Sequence, residues 1–155
     1  MPLWEKSTGA EDVWLDYMYT VDKKEGNPRY KTTGIVGYCS NKEIPGLDMK
    51  ILWRAYHVER NDHYTTASKS NYNFLAYQTK NKYAAEGAVC WVLNSAIAVK
   101  AEDFQPLYQV AENDKFAAHR LTSDVTLKDT LVKQGWKFSG IEAYIFTKDT
   151  HLNCQ

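Results

Sequence analysis

Four polar residues in the middle of the chain have side chains suited to holding a polar ligand: Arg54, Asp62, His63 and Glu86. A guanidinium fork and two carboxylates satisfy the hydroxyl groups of a sugar, and an imidazole adds a donor or an acceptor according to its tautomer. Tyr64 and Trp53, close by in sequence, offer ring faces on which the apolar side of a pyranose can stack. The same set also reads as plain structure, with Arg54 pairing with Asp62 or Glu86 to tie strands together and His63 orienting a turn. Catalysis asks for more. Asp62 and Glu86 are a nominal carboxylate pair, but glycoside hydrolysis depends on their separation, which a sequence does not give. The histidines, His57, His63, His119 and His151, have no metal-ligand spacing, and neither HExxH nor a nucleophile elbow occurs. The expectation is a binding protein rather than an enzyme, with no catalytic residue, no metal and no cofactor.

The elements that must position these residues follow from a periodicity. Gly34, Gly87 and Gly140 are equally spaced, each with an aromatic four positions before it (Tyr30, Tyr83, Trp136) and another four positions after it (Tyr38, Trp91, Tyr144). The chain therefore reads as one domain, 1–155, made of three divergent copies of a roughly 50-residue unit, about 1–50, 51–105 and 106–155. The windows after each glycine, 35–39, 88–92 and 141–146, are β-branched and aromatic, as strands are, with Glu142 the one interruption; each glycine marks a bulge or a close backbone approach. Each unit opens on a first strand, at Leu3-Trp4, Leu52-Trp53 and Leu107-Tyr108. Second strands are expected at 63–66, at 17–20 and around Phe116 or 120–122. Helices are expected over 68–79 and 123–134, each begun by a capping Ser, with Gly135 ending the second. In unit one, Gly26-Asn27-Pro28 replaces the helix with a turn. The repeated tryptophans, Trp4, Trp53, Trp91 and Trp136, are read as core; Trp14 falls outside the pattern and is a candidate exposed contact.

Three such units close most simply around a pseudo-threefold axis, with aromatic strands inward. The expected fold class is mainly β with short helices, β-trefoil-like or small propeller-like.

Leu52-Trp53-Arg54-Ala55-Tyr56, Asp62-His63-Tyr64-Thr65-Thr66 and Tyr83-Ala84-Ala85-Glu86-Gly87-Ala88-Val89-Cys90-Trp91-Val92 together resemble a repeat domain whose pattern runs PLYRLY, DHFYTT, GYxxEGIAGYVY. That domain is seen in tandem in fungal proteins and beside cell-wall-active modules in bacteria. Unit two is close to the pattern. Unit three keeps Pro106-Leu107-Tyr108 and 135–144, with Asp114-Lys115-Phe116 in part echoing the DHF segment; unit one lacks both the Arg and the Asp-His. The company this family keeps implies carbohydrate or cell-wall binding, and the absence of a secretion signal resembles the habit of fungal fruiting-body lectins, small soluble intracellular proteins that act in defence on animals or microbes consuming the fungus. The expected partners are glycans or glycoproteins, bound at Arg54, Asp62, His63, Tyr64, Glu86 and Trp53, with homo-oligomerisation supplying avidity.

Composition narrows the alternatives. Lys+Arg and Asp+Glu are 19 each, so no net field draws in nucleic acid. Hydrophobic residues make up 44%, yet no apolar run approaches the roughly 20 residues of a membrane span. The start has no basic segment leading into an apolar run, which points to cytoplasmic residence and release, if any, without a classical signal. Cys39, Cys90 and Cys154, few and odd in number, read as thiols of a reducing compartment. A different class of function is a protease inhibitor or other protein-interaction module, with the Pro-stiffened loops 41–49 and 23–29 as its inserting segments.

Overall fold

The computed structural model describes residues 1–9, 15–78, 80, 82–112 and 118–149. Trp14, Asp114, Lys115, Phe116, His151 and Cys154 lie outside the described residues, and so do the expectations that fell on them.

The chain is mainly β. Its elements are β1 (Pro2–Ser7), β2 (Tyr17–Thr20), β3 (Lys31–Tyr38), β4 (Met49–His57), β5 (Asp62–Thr66), α1 (Lys69–Tyr77), β6 (Tyr83–Leu93), a 3-10 turn (Ala101–Asp103), β7 (Phe104–Ala111), β8 (His119–Thr122), α2 (Val125–Lys133) and β9 (Lys137–Phe146). All pairing is antiparallel and falls into three blocks: β1 lies between β2 and β3, β4 between β5 and β6, and β7 between β8 and β9. Among the described residues the backbone pairing between blocks is confined to Tyr38↔Phe146, Leu93↔Tyr144 and the bridge Ser40↔Trp91, and the nine-stranded sheet does not close on itself.

Each glycine of the periodicity sits opposite the middle of its block's central strand: Gly34 faces Glu5, Gly87 faces Arg54 and Gly140 faces Gln109. The register slips on both sides of every one of these pairs. Thr33, Glu86 and Ser139 are thus left over before the glycine, and Val36, Val89 and Glu142 after it. These are β-bulges, and a bulge re-aims the extra side chain out of the normal alternation. Gly87 and Gly140 adopt φ of +91° and +116°, a backbone region that a Cβ makes costly.

The helices are set by local chemistry. Ser68 caps α1, its hydroxyl accepting from the Asn71 N–H. In α2 the capping residue is Asp124 rather than Ser123, because its carboxylate accepts from the Thr126 and Leu127 N–H groups while the Ser123 hydroxyl donates to the Val36 carbonyl. At the other end Trp136 N–H bonds to the Leu131 carbonyl and Gly135 N–H to that of Val132, a Schellman closure. Between β2 and β3 there is no helix; the segment runs through turns that end on Tyr30 N–H bonded to the Asn27 carbonyl.

The main core gathers one leucine from each central strand, Leu3, Leu52 and Leu107, all with no exposure, with Tyr17, Tyr19, Val36, Val92, Leu121 and Ile145 around them. Where the blocks meet, a second cluster of Met49, Leu93 and Phe146 is packed by Tyr38, Trp91 and Tyr144, the three aromatics that follow the glycines. Of the four tryptophans expected in the core, all half-buried, Trp136 and Trp91 pack against the two clusters while Trp4 and Trp53 do not. Trp53 stacks on Tyr72 under Lys69, and Trp4 lies under Lys23, because the register turns both away from the leucine beside them. Cys39 and Cys90, read above as thiols, form a disulfide that joins the end of β3 to β6 beside the Ser40–Trp91 bridge.

Candidate functional site

The Asp62-His63 pair opens β5, and strand register gives its counterparts. Tyr17, His63 and His119 take the same place in the three short strands, so Asp16-Tyr17, Asp62-His63 and Ala118-His119 correspond. The counterpart in unit three is therefore Ala118-His119 rather than the segment at Asp114.

Each aspartate holds the histidine of the next block. Asp16, with no exposure, accepts from the His63 backbone N–H at 2.8 Å and pairs with its Nδ1 at 2.5 Å, while the Tyr30 hydroxyl donates to the same carboxylate at 2.6 Å. One block further on, Asp62, 1% exposed, pairs with His119 Nδ1 at 2.9 Å and accepts from the Tyr83 hydroxyl. At the third junction the three partners are replaced together by Ala118, Tyr17 and Trp136, and the last two meet edge to face with the Arg120 guanidinium over Tyr17. Tyr30, Tyr83 and Trp136 are the aromatics that precede the glycines. Burial and the adjoining carboxylates push the Tyr30 and Tyr83 phenols far above their ordinary range.

The remaining residues of the expected site are spent on one another. The bulge at Glu86 aims its carboxylate at Arg54 Nε, 2.6 Å away, and at His63 Nε2, 3.5 Å away. Arg54 gives its other donors to the Tyr19 carbonyl and to Glu25, which also accepts from Thr20. Burial opposes a charge on His63, but hydrogen bonds to Asp16 and Glu86 outweigh it and lift its pKa to about 9. Burial likewise opposes ionisation of Glu86, and His63 and Arg54 overcome it and hold the carboxyl below its usual value. Arg54 and Glu86 border a hollow of about 240 Å³, but there the guanidinium is saturated and Asp62 and Trp53 are absent. Arg54, His63 and Glu86 thus belong to one network, whose Glu86 end is exposed, and Asp62 to another, so the four do not face one opening together. A buried charge is stable only when paired, so the residues most suggestive in sequence are those the fold consumes.

A second opening adjoins the Asp62 clasp, lined by its partners Tyr83 and His119. A cleft of about 590 Å³ is bordered by β4, β5, β6, β8 and α1. Its rings touch in series: His57 meets Tyr83 edge-on at 5.0 Å, Tyr83 meets Tyr64 at 6.5 Å, and Tyr64 meets His119 at 4.4 Å. Asp62, buried beside this row, fixes the Tyr83 hydroxyl and His119 Nδ1, and the His57 Nδ1 accepts from the Arg60 backbone N–H. The wall is therefore pre-set, with polar atoms at defined places between apolar ring surfaces. From α1 come Asn71, Phe74 and Leu75, and from the flanking loops Glu59, Arg60, Lys80 and Lys82. Of the expected site residues, Tyr64 alone lines this cleft; burial raises its phenol to about 12, with Glu142 and Asp62 adding to the shift. Tyr83 carried a sequence signal as a periodic aromatic, and His119 by alignment with His63. Asn71, Phe74 and the loop cations carried none.

The loops proposed for insertion into a protease are tied down in part. Lys6 Nζ donates to the carbonyls of Lys23 and Glu25, and Ile44 and Leu47 pack on the second core cluster. Among the described residues no group of three or more His, Cys, Asp or Glu could hold a metal ion, and no helix is long and apolar enough to cross a membrane.

Fold and cleft together define a β-rich chain whose nine-stranded sheet falls into three blocks, with two Asp–His clasps and a ring-walled cleft beside one of them. The chain belongs to DUF5648, a domain family of unknown function, whose profile matches residues 11–93 and, overlapping, 51–153. No curated protein and no solved structure matches it.

Proposed function

We propose that the chain is a lectin-like carbohydrate-binding protein and that its glycan site is the cleft between the His57–Tyr83–Tyr64–His119 row and α1. The carrying observation is that row of touching rings, whose hydroxyl and ring nitrogens are held by Asp62 and the backbone. A pyranose presents an apolar face and a rim of hydroxyls, and a wall of this kind answers both at little cost in side-chain ordering. Asn71, exposed on α1, adds an amide that donates and accepts.

The reading of three divergent copies about a pseudo-threefold axis accompanies this proposal. It is supported by the identical pairing of the three blocks, the paired bulges around each periodic glycine, and the joint loss of Asp, His and Tyr at the third junction. On that reading the ring-walled cleft arose at one junction, where α1 stands beside an intact clasp; α1 has no counterpart in unit one.

A glycan array with the wild-type protein, Asn71→Ala and Phe74→Ala tests the proposal. Both side chains are exposed, so the variants keep the wild-type Tm. Selective binding that both variants lose is the expected result; absence of binding to any glycan contradicts it.

A further inference from the structure

Charge around the cleft is not balanced as it is over the whole chain. Three cations border it, Arg60, Lys80 and Lys82, against one carboxylate, Glu59. Glu59 is already held by Lys82, through contacts of 2.8 and 2.9 Å. Neither Arg60 nor Lys80 has an ion-pair partner among the described residues, and both are exposed. Two further carboxylates act on the wall at Tyr64 without bordering the cleft: Asp62, 1% exposed and occupied by Tyr83 and His119, and Glu142, which accepts from the Thr66 hydroxyl and the Ala67 N–H. Since the chain has no net charge, this excess is local to the cleft. A guanidinium and an ammonium flanking a row of rings match a ligand with an apolar ring face and a planar carboxylate at its edge, because Arg binds carboxylate in a fork and Lys serves as a point charge.

We propose that the cleft selects acidic sugars, carboxylate-bearing units such as uronic or sialic acids, with Arg60 and Lys80 receiving the carboxylate. This rests on the reading of the cleft as a glycan site and adds the class of sugar. Hydrogen bonds to a charged group are worth more than neutral ones, so removal of the ligand's charge weakens binding about tenfold.

Calorimetric titration with two matched pairs tests this: trigalacturonic acid against its methyl ester, and 3′-sialyllactose against lactose. The expected result is that the acidic member of at least one pair binds about tenfold more tightly, and that Arg60→Gln/Lys80→Gln, with unchanged Tm, brings the ratio to near one. High salt should shrink the ratio in the wild type. Equal binding of acid and neutral partner, or a preference that survives the double substitution, overturns the acidic-sugar inference while the glycan site stands. If the array also finds no ligand, both fall.

Discussion

Asp62 shows how little of a polar cluster's promise survives packing. Its carboxylate is enclosed and engaged by Tyr83 and His119, so Asp62→Ala removes the acceptor that fixes two half-buried groups of the cleft wall rather than a group facing the cleft. Loss of hydrogen bonds to a buried carboxylate costs about 2 kcal/mol, which at this chain length lowers Tm by roughly 6 °C. Thermal unfolding followed by circular dichroism checks it, and a Tm within a degree of wild type contradicts the clasp. His63 gives a prediction in pH. It faces Asp16, Glu86, Tyr30 and Tyr56, and its pKa rises from 6.5 to about 9 on folding. The folded state holds the proton more tightly, so the stabilisation is complete below pH 6.5 and is lost as pH climbs through about 9. Wild-type Tm should fall across that window, and His63→Gln should remove that part of the slope. These residues were legible as a polar group in sequence. Their partners were not, because the acceptor for His63 is Asp16, a long-range contact between blocks, and no local spacing signals it.

The strands and helices were far more legible, since each is written in local chemistry. The period of the glycines and aromatics placed all three bulged strands, and the caps at Ser68 and Gly135 bounded their helices. The N-cap of α2 was misplaced by one residue because Ser and Asp stand side by side there and both can cap; the Ser was drawn off by the Val36 carbonyl. Gly34 and Gly87, alike in sequence, differ in conformation. Gly87 has φ of +91° with open space where a methyl group would stand, so Gly87→Ala should cost about 1 kcal/mol through backbone strain alone. Gly34 has no positive φ and equal space, so Gly34→Ala should leave stability nearly unchanged. Urea unfolding of the two variants side by side checks the contrast, and equal losses contradict it.

The three blocks touch through few backbone pairs, so the molecule depends on what spans them: the main core, the second core cluster, two Asp–His clasps, the Glu5–Arg120 pair and the Cys39–Cys90 disulfide. The disulfide closes a loop with a sequence separation of 51, and loop-closure entropy assigns such a link about 4 kcal/mol. Reduction, or Cys39→Ser/Cys90→Ser, should therefore lower Tm clearly, and an unchanged Tm under reductant contradicts a structural role. The pairing escaped the sequence reading because cysteine count and spacing speak to frameworks of many bridges, whereas this single bridge depends on how β3 and β6 converge. The cleft escaped for a similar reason: β4, β5, β6, β8 and α1 build it jointly, and its loop cations follow no period. On the proposed reading, the place where a glycan binds is a property of the assembled molecule. NMR titration of the labelled protein with an array-selected sugar tests this most directly. Shift changes should concentrate at Asn71, Phe74, Tyr83 and His119; changes centred instead on Arg54, Glu86 and Thr20, or none at saturating sugar, would overturn the cleft as the glycan site.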